Sequence, residues 1–113
     1  MASNLTPQQV IDTLSIIGKD IDDQTEEINR LDQEAVRARV AYKVQYAEIF
    51  LRTEGSMDIR RYTAEYGSRD SLLQHELADQ EHRAAVNQIK ALRDRLEVGR
   101  SISALVRMEW GAQ

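Results

Sequence analysis

The feature that most constrains the fold is a long heptad-like repeat in the first half of the chain. Between Leu14 and Ile49, stepping alternately by three and four residues meets an apolar or aromatic residue at nine of eleven positions. The eleven positions are Leu14, Ile17, Ile21, Gln24, Ile28, Leu31, Ala35, Ala38, Tyr42, Gln45 and Ile49. A repeat held over this length predicts one long helix that packs lengthwise against another helix.

Capping and turn residues predict where the helices begin and end. Thr6, Pro7 and Gln9 form a helix start with a capping box, because Pro is well tolerated at the first helical position. Gly55 and Ser56 form the mid-chain break, since glycine ends helices readily and serine caps the next one. The sequence therefore predicts a helix over about 7–53, a turn over 54–56, a helix over about 57–98 and a short helix over about 101–110.

The scarcity of turn residues excludes an all-β fold. Only 5 glycines and 1 proline occur in 113 residues, whereas sandwiches and barrels need a turn every 8–12 residues. We expect one all-α domain over 1–113: a long helical hairpin with coiled-coil-like packing and a short C-terminal helix.

Apolar residues off the repeat predict a homo-oligomer, with a ring as one form. Val36, Val40, Val44, Phe50 and Leu51 form a second apolar set on the first helix, which a lone hairpin would leave exposed. The residues expected at the contacts between subunits are Leu14, Ile17, Ile21, Ile28, Leu31, Ala35, Ala38 and Tyr42. The seam expected on the second helix is Ile59, Tyr62, Tyr66, Leu73, Leu77 and Ala84, then Ala85, Ile89, Leu92 and Leu96.

The sequence carries no convincing catalytic or metal-binding constellation. Cysteine is absent, no glycine-rich phosphate loop occurs, and His75, Asp79 and His82 form only part of a bundle metal motif. We therefore predict no enzyme activity, catalytic residues, metal or cofactor. No apolar run approaches the length of a membrane span and no signal peptide is visible, which predicts a cytoplasmic protein without a membrane partner.

Charge is distributed unevenly along the chain. The residues up to Glu34 carry a net charge of −6, whereas those from Val36 to Arg61 carry +3. Basic residues in this second segment alternate with tyrosines, a combination that suits single-stranded nucleic acid. The candidate nucleic-acid-binding residues are Arg37, Arg39, Lys43, Arg52, Arg60 and Arg61.

Three segments resemble the UvsY family of phage recombination mediators. Arg37-Ala38-Arg39-Val40-Ala41-Tyr42 is similar to that family's Lys-Ala-Arg-Leu-x-Tyr segment, with Arg in place of the first Lys. Gly55-Ser56-Met57-Asp58, followed by Arg61-Tyr62, resembles its glycine turn and Ser-Met-Asp helix start. The stretch Leu96–Ile102, with Val106 and Met108, resembles its C-terminal pattern. This chain is shorter and more acidic than the family.

The resemblance implies an all-helical, ring-forming accessory protein of homologous recombination. Such mediators bind single-stranded DNA, help displace a single-strand-binding protein and load a RecA-like recombinase. The resemblance implies that Arg37 and Arg39 contact phosphates, that Tyr42 is structural or stacks, and that a phage-encoded protein would work in the host cytoplasm.

Two other interpretations compete with the mediator. The heptad repeat and the lack of a catalytic constellation also suit a coiled-coil scaffold that binds proteins and no nucleic acid. The acidic stretch from Asp20 to Glu34 also suits an inhibitor that mimics nucleic acid toward a basic protein.

Overall fold

A computed structural model describes residues 5–112 and confirms the all-α helical hairpin. Helix α1 runs over Pro7–Arg52, α2 over Met57–Gly67 and α3 over Arg69–Gly111. No strand occurs among the described residues. The predicted bounds of the first helix and of the turn are correct to within a residue.

The predicted capping box starts α1. The backbone N–H of Thr6 donates to Gln9 Oε1 over 2.9 Å, and the N–H of Gln9 donates to Thr6 Oγ1 over 3.1 Å. These reciprocal bonds satisfy two amide groups that have no partner within the helix.

The predicted turn chemistry is also confirmed. Gly55 has φ 118°, a conformation that residues with a Cβ rarely adopt. Ser56 caps α2 by accepting a hydrogen bond from the backbone N–H of Ile59 over 3.3 Å. Asp58 lies in the first turn of α2, where its charge complements the helix dipole.

The predictions for the second arm of the hairpin are wrong at two points. The chain breaks at Ser68, between α2 and α3, and α3 then continues unbroken past Gly99 to Gly111. Ser101 caps no new helix, because its hydroxyl donates to the carbonyl of Glu97 within α3. Gly99 serves close packing instead: a Cβ there would lie 2.5 Å from Leu14 Cδ2.

Contacts divide the described residues into two compact units. The terminal unit comprises the residues up to Glu27 together with those from Ala85 onward, and the central unit comprises Ile28–Ala84.

The terminal unit has an apolar interior. Its buried side chains are Val10, Ala85, Ile89, Leu92 and Val106. The indole N–H of Trp110 donates to the carbonyl of Leu5 over 3.2 Å.

The central unit is packed around small residues. Leu31 and Ala35 of α1 are buried, and Ala64 of α2 and Ser68 at the break are completely inaccessible. Gly67 admits the side chain of Ile49, because a Cβ on Gly67 would lie 2.7 Å from Ile49 Cδ1. Small residues let α1 approach this arm closely.

The first part of the seam predicted on the second arm is wrong. Its large members point outward, with exposed fractions between 49% and 70%: Ile59, Tyr62, Tyr66, Leu73 and Leu77. The inward positions, which step by three and four residues and are all buried or half-buried, are Ala64, Ser68, Ser71, His75, Ala78, His82, Ala85, Ile89, Leu92, Leu96, Gly99, Ser103 and Val106. Apolarity is a poor guide in the first half of this seam because its residues are small or polar. The prediction is correct from Ala85 to Leu96.

The eight residues expected between subunits also take part in packing within one chain. Leu31 and Ala35 are 7% exposed, and the other six are half-buried: Leu14, Ile17, Ile21, Ile28, Ala38 and Tyr42. The reason is that this face of α1 packs against α2 and α3, which form the second, returning arm of the hairpin.

We predict different packing consequences for alanine at two helical glycines. Gly18→Ala should raise the free energy of unfolding by about 1 kcal/mol, because nothing lies within 4 Å of the added Cβ. Gly99→Ala should gain less than Gly18→Ala, by up to about 1 kcal/mol, since the Leu14 side chain must shift. Urea unfolding of both variants and wild type measures this, and equal gains would contradict the close packing at Gly99.

Candidate nucleic-acid interface

The predicted basic residues of α1 do not form one surface. Arg37 and Arg39 are exposed and two residues apart, which separates them by about 200° around a helix. Ala38 between them is half-buried in the seam. The two arginines therefore project on opposite sides of the seam, and only Arg39 and Lys43, four residues apart, share a side.

The other three predicted basic residues surround the turn between α1 and α2. Arg52 lies in the last turn of α1, where its Nε donates to the carbonyl of Glu48 over 3.2 Å. Arg60 and Arg61 follow in the first turns of α2. Arg60 is half-buried, and its Nε has no hydrogen-bond partner among the described residues.

Arg61 is held beside an exposed aromatic ring. Its Nη2 donates to Asp58 Oδ1 over 3.0 Å, and its guanidinium carbon lies 5.2 Å from the ring centroid of Tyr62. Tyr62 is 62% exposed. We call Arg61 and Tyr62, with Arg52 and Arg60 of the same turn region, the turn-end surface. Arg60 and Tyr62, two residues apart on α2, project on different sides of that helix.

A second arginine–tyrosine pair lies further along the same arm. The guanidinium carbon of Arg69 is 4.0 Å from the ring centroid of Tyr66, and Arg69 Nη1 donates to the Tyr66 carbonyl over 2.6 Å. Sequence reasoning missed Arg69, although the spacing of three residues after Tyr66 was a usable signal. These contacts hold Arg69 against its own chain more closely than Arg61 is held.

The two tyrosines of α1 serve the fold. Tyr42 is half-buried and stacks on His75, with ring centroids 6.1 Å apart and planes inclined by 12°. Tyr46 stacks on Phe50 with centroids 6.3 Å apart. Tyr42 is therefore placed for packing between helices rather than for stacking on a base.

Polar side chains pair along the seam of the central unit. The hydroxyl of Ser71 donates to Gln45 Oε1. His75 Nδ1 lies 3.7 Å from Asp79 Oδ2, and His82 Nε2 lies 3.9 Å from Asp32 Oδ1. Among residues 5–112 no three His, Asp or Glu side chains are grouped to hold a metal ion. The Ser71–Gln45 and His82–Asp32 pairs join the two arms and fit the setting of helix register. His75 and Asp79 lie on the same helix.

The turn-end surface has the chemistry of a single-strand contact. An exposed tyrosine ring can stack on a base, and the arginines of this turn region can pair with phosphates. Glu54 and Asp58 reduce the local net charge to +1, so one copy offers only a weak electrostatic field.

Comparisons with known proteins found no match to this chain among protein-family models, curated proteins or solved structures. In the part of the chain that the structure describes, no helix has the length and apolar character needed to cross a membrane.

The two classes of tyrosine predict different responses to truncation. Tyr42→Ala should lower the free energy of unfolding by about 2 kcal/mol or more, because it removes a ring packed between helices. Tyr62→Ala should change stability by less than about 0.5 kcal/mol, since this ring is mostly exposed. Urea unfolding with circular dichroism detection measures both. Equal losses would contradict the assignment of Tyr42 to the seam.

Proposed function

We propose that this chain binds single-stranded DNA as an oligomeric recombination mediator without enzyme activity of its own. The observation that carries this proposal is the exposed Tyr62 ring with the Arg61 guanidinium 5.2 Å away. Aromatic stacking and arginine contacts together bind single strands without strong sequence preference.

The resemblance to the UvsY family supports the same turn between α1 and α2 as the binding site. Its Ser-Met-Asp helix start matches Ser56-Met57-Asp58, and Arg61-Tyr62 follows on the same helix. The family's other segment contains Arg37 and Arg39, which project on opposite sides of α1 and are therefore less suited to bind one strand together.

Self-association is the second part of the proposal. A single copy offers a net charge of only +1 at the turn-end surface, whereas several copies with parallel axes would repeat this surface along one strand. Linked weak sites gain avidity without any new contact. In this role the oligomer would hold DNA while a RecA-like recombinase replaces a single-strand-binding protein. The place of action is the cytoplasm, which is the host cytoplasm if a phage encodes the chain.

The experiment compares two matched double variants in DNA binding. Arg61→Gln/Tyr62→Leu should weaken binding of a labelled single-stranded oligonucleotide at least tenfold in fluorescence anisotropy at about 50 mM salt, where phosphate contacts are strong. Arg37→Gln/Arg39→Gln removes two charges elsewhere and should weaken binding less. If the second variant loses binding and the first retains it, the turn-end surface is the wrong site.

Binding should depend steeply on salt. Three phosphate contacts on a single strand predict a roughly 20-fold loss of affinity between about 50 and 200 mM salt. The same anisotropy titration at several salt concentrations measures this slope. A salt-independent affinity would exclude phosphate contacts as the source of binding.

A scaffold without nucleic-acid binding is the second candidate. The observation that favours it is the row of exposed apolar side chains on the second arm, of which Leu73 is 56% and Leu77 49% exposed. Such a row suits a partner helix. A self-associated protein with no anisotropy change on DNA at about 50 mM salt would select the scaffold over the mediator.

A further inference from the structure

The outer face of α1 in the central unit carries exposed apolar side chains. Val40 and Val44 are each 50% exposed and Leu51 is 77% exposed. Their spacing of four and seven residues places them on one side of the helix. We call these three residues the outer α1 stripe.

The returning arm carries a matching set. Tyr66, Leu73 and Leu77 are exposed by 70%, 56% and 49%, and their spacing of seven and four residues also places them along one side. We call these three residues the outer α3 stripe, although Tyr66 lies at the end of α2.

The contacts between the two arms show which residues lie at the same position along the helix axes, which we call the same height. Tyr42 stacks on His75, and the arms are antiparallel. Val40 comes two residues before Tyr42 and Leu77 two residues after His75, so these two apolar residues lie level. Val44 and Leu73 lie level on the other side of the same contact.

The far ends of the stripes also correspond. The side chain of Ile49 lies beside Gly67. Leu51 follows Ile49 by two residues and Tyr66 precedes Gly67 by one, which places them within about one residue of the same height. The two stripes therefore have the same spacing and the same position along the arms of the central unit.

We propose that the outer α1 stripe of one copy packs against the outer α3 stripe of a second copy. Rotation about an axis parallel to the helices preserves height, so it would set Val40 against Leu77 and Val44 against Leu73. Each copy contacts one neighbour through its outer α1 stripe and the other neighbour through its outer α3 stripe. Such a head-to-tail contact can repeat from copy to copy until the assembly closes into a ring. This inference rests on the self-association in the proposed function and specifies its surfaces.

Charge supports the second copy as the occupant. Lys43 directly precedes Val44, and Glu76 directly precedes Leu77. In antiparallel helices packed in this register, the two side chains lie on the same side of the contact, where opposite charges pair. Both are exposed, and neither forms an ion pair with another residue among those described.

The interface leaves Tyr62 and Arg61 of the turn-end surface uncovered. Tyr62 lies four residues before Tyr66, toward the turn, and α1 already ends at Arg52. No part of the outer α1 stripe reaches the height of Tyr62. Self-association and DNA binding therefore use different residues.

A mixing experiment with two variants of the full chain tests the head-to-tail contact. Val40→Asp/Val44→Asp removes one stripe and Leu73→Asp/Leu77→Asp removes the other. Each variant alone should sediment as a single chain, and an equal mixture should form two-chain species and nothing larger, because only one intact contact is available. Circular dichroism checks that the helices persist.

Ile16→Asp is the matched control, since Ile16 is 63% exposed on α1 in the terminal unit. It should keep the sedimentation mass of wild type. The proposal is overturned if wild type is a single chain, if either double variant keeps the wild-type mass, or if the mixture does not pair.

A charge exchange gives an independent test that does not disturb the apolar residues. Lys43→Glu and Glu76→Lys should each weaken association at least fivefold, and the combined variant should recover to within about twofold of wild type. A combined variant no better than the single ones would overturn the pairing. These measurements use no DNA, so an oligomer that fails to bind DNA refutes the proposed function alone.

Discussion

Close packing of α1 against small residues of the returning arm is the interaction on which the central unit depends. Ala64 and Ser68 are fully inaccessible, and Ile49 occupies the space that a side chain on Gly67 would need. A Cβ at Gly67 would require the Ile49 side chain to shift. Because small residues face inward, large ones such as Tyr66 and Leu73 are left on the outside. The exposed stripes are thus a consequence of how the interior is filled.

Polar contacts supplement this packing where apolar contacts are few. Gln45 bonds to Ser71, and Tyr42 stacks on His75. Such pairs disfavour a shift of one helix along the other. That alignment matters for function, because the two outer stripes correspond only while the arms keep this register.

The proposed functions divide the central unit into separate surfaces. The turn-end surface offers an exposed ring and arginines, which suit a single strand. The outer stripes offer apolar side chains at matching heights, which suit a second copy. A net charge of +1 at one turn becomes effective only by repetition, so association would strengthen DNA binding without any change in the site itself.

The sequence by itself determined the helices, because capping and heptad spacing are local: the Thr6–Gln9 box, the Gly55–Ser56 turn and the repeat from Leu14 all appear in the structure. It could not decide which face of the second arm turns inward, since Ile59 and Leu73 are more apolar than Ala64 and Ser68. It also grouped Arg37 with Arg39 by proximity along the chain, although their helix separates them. Only the tertiary structure decided these points, because burial depends on how closely two helices approach, and that distance is a property of the pair.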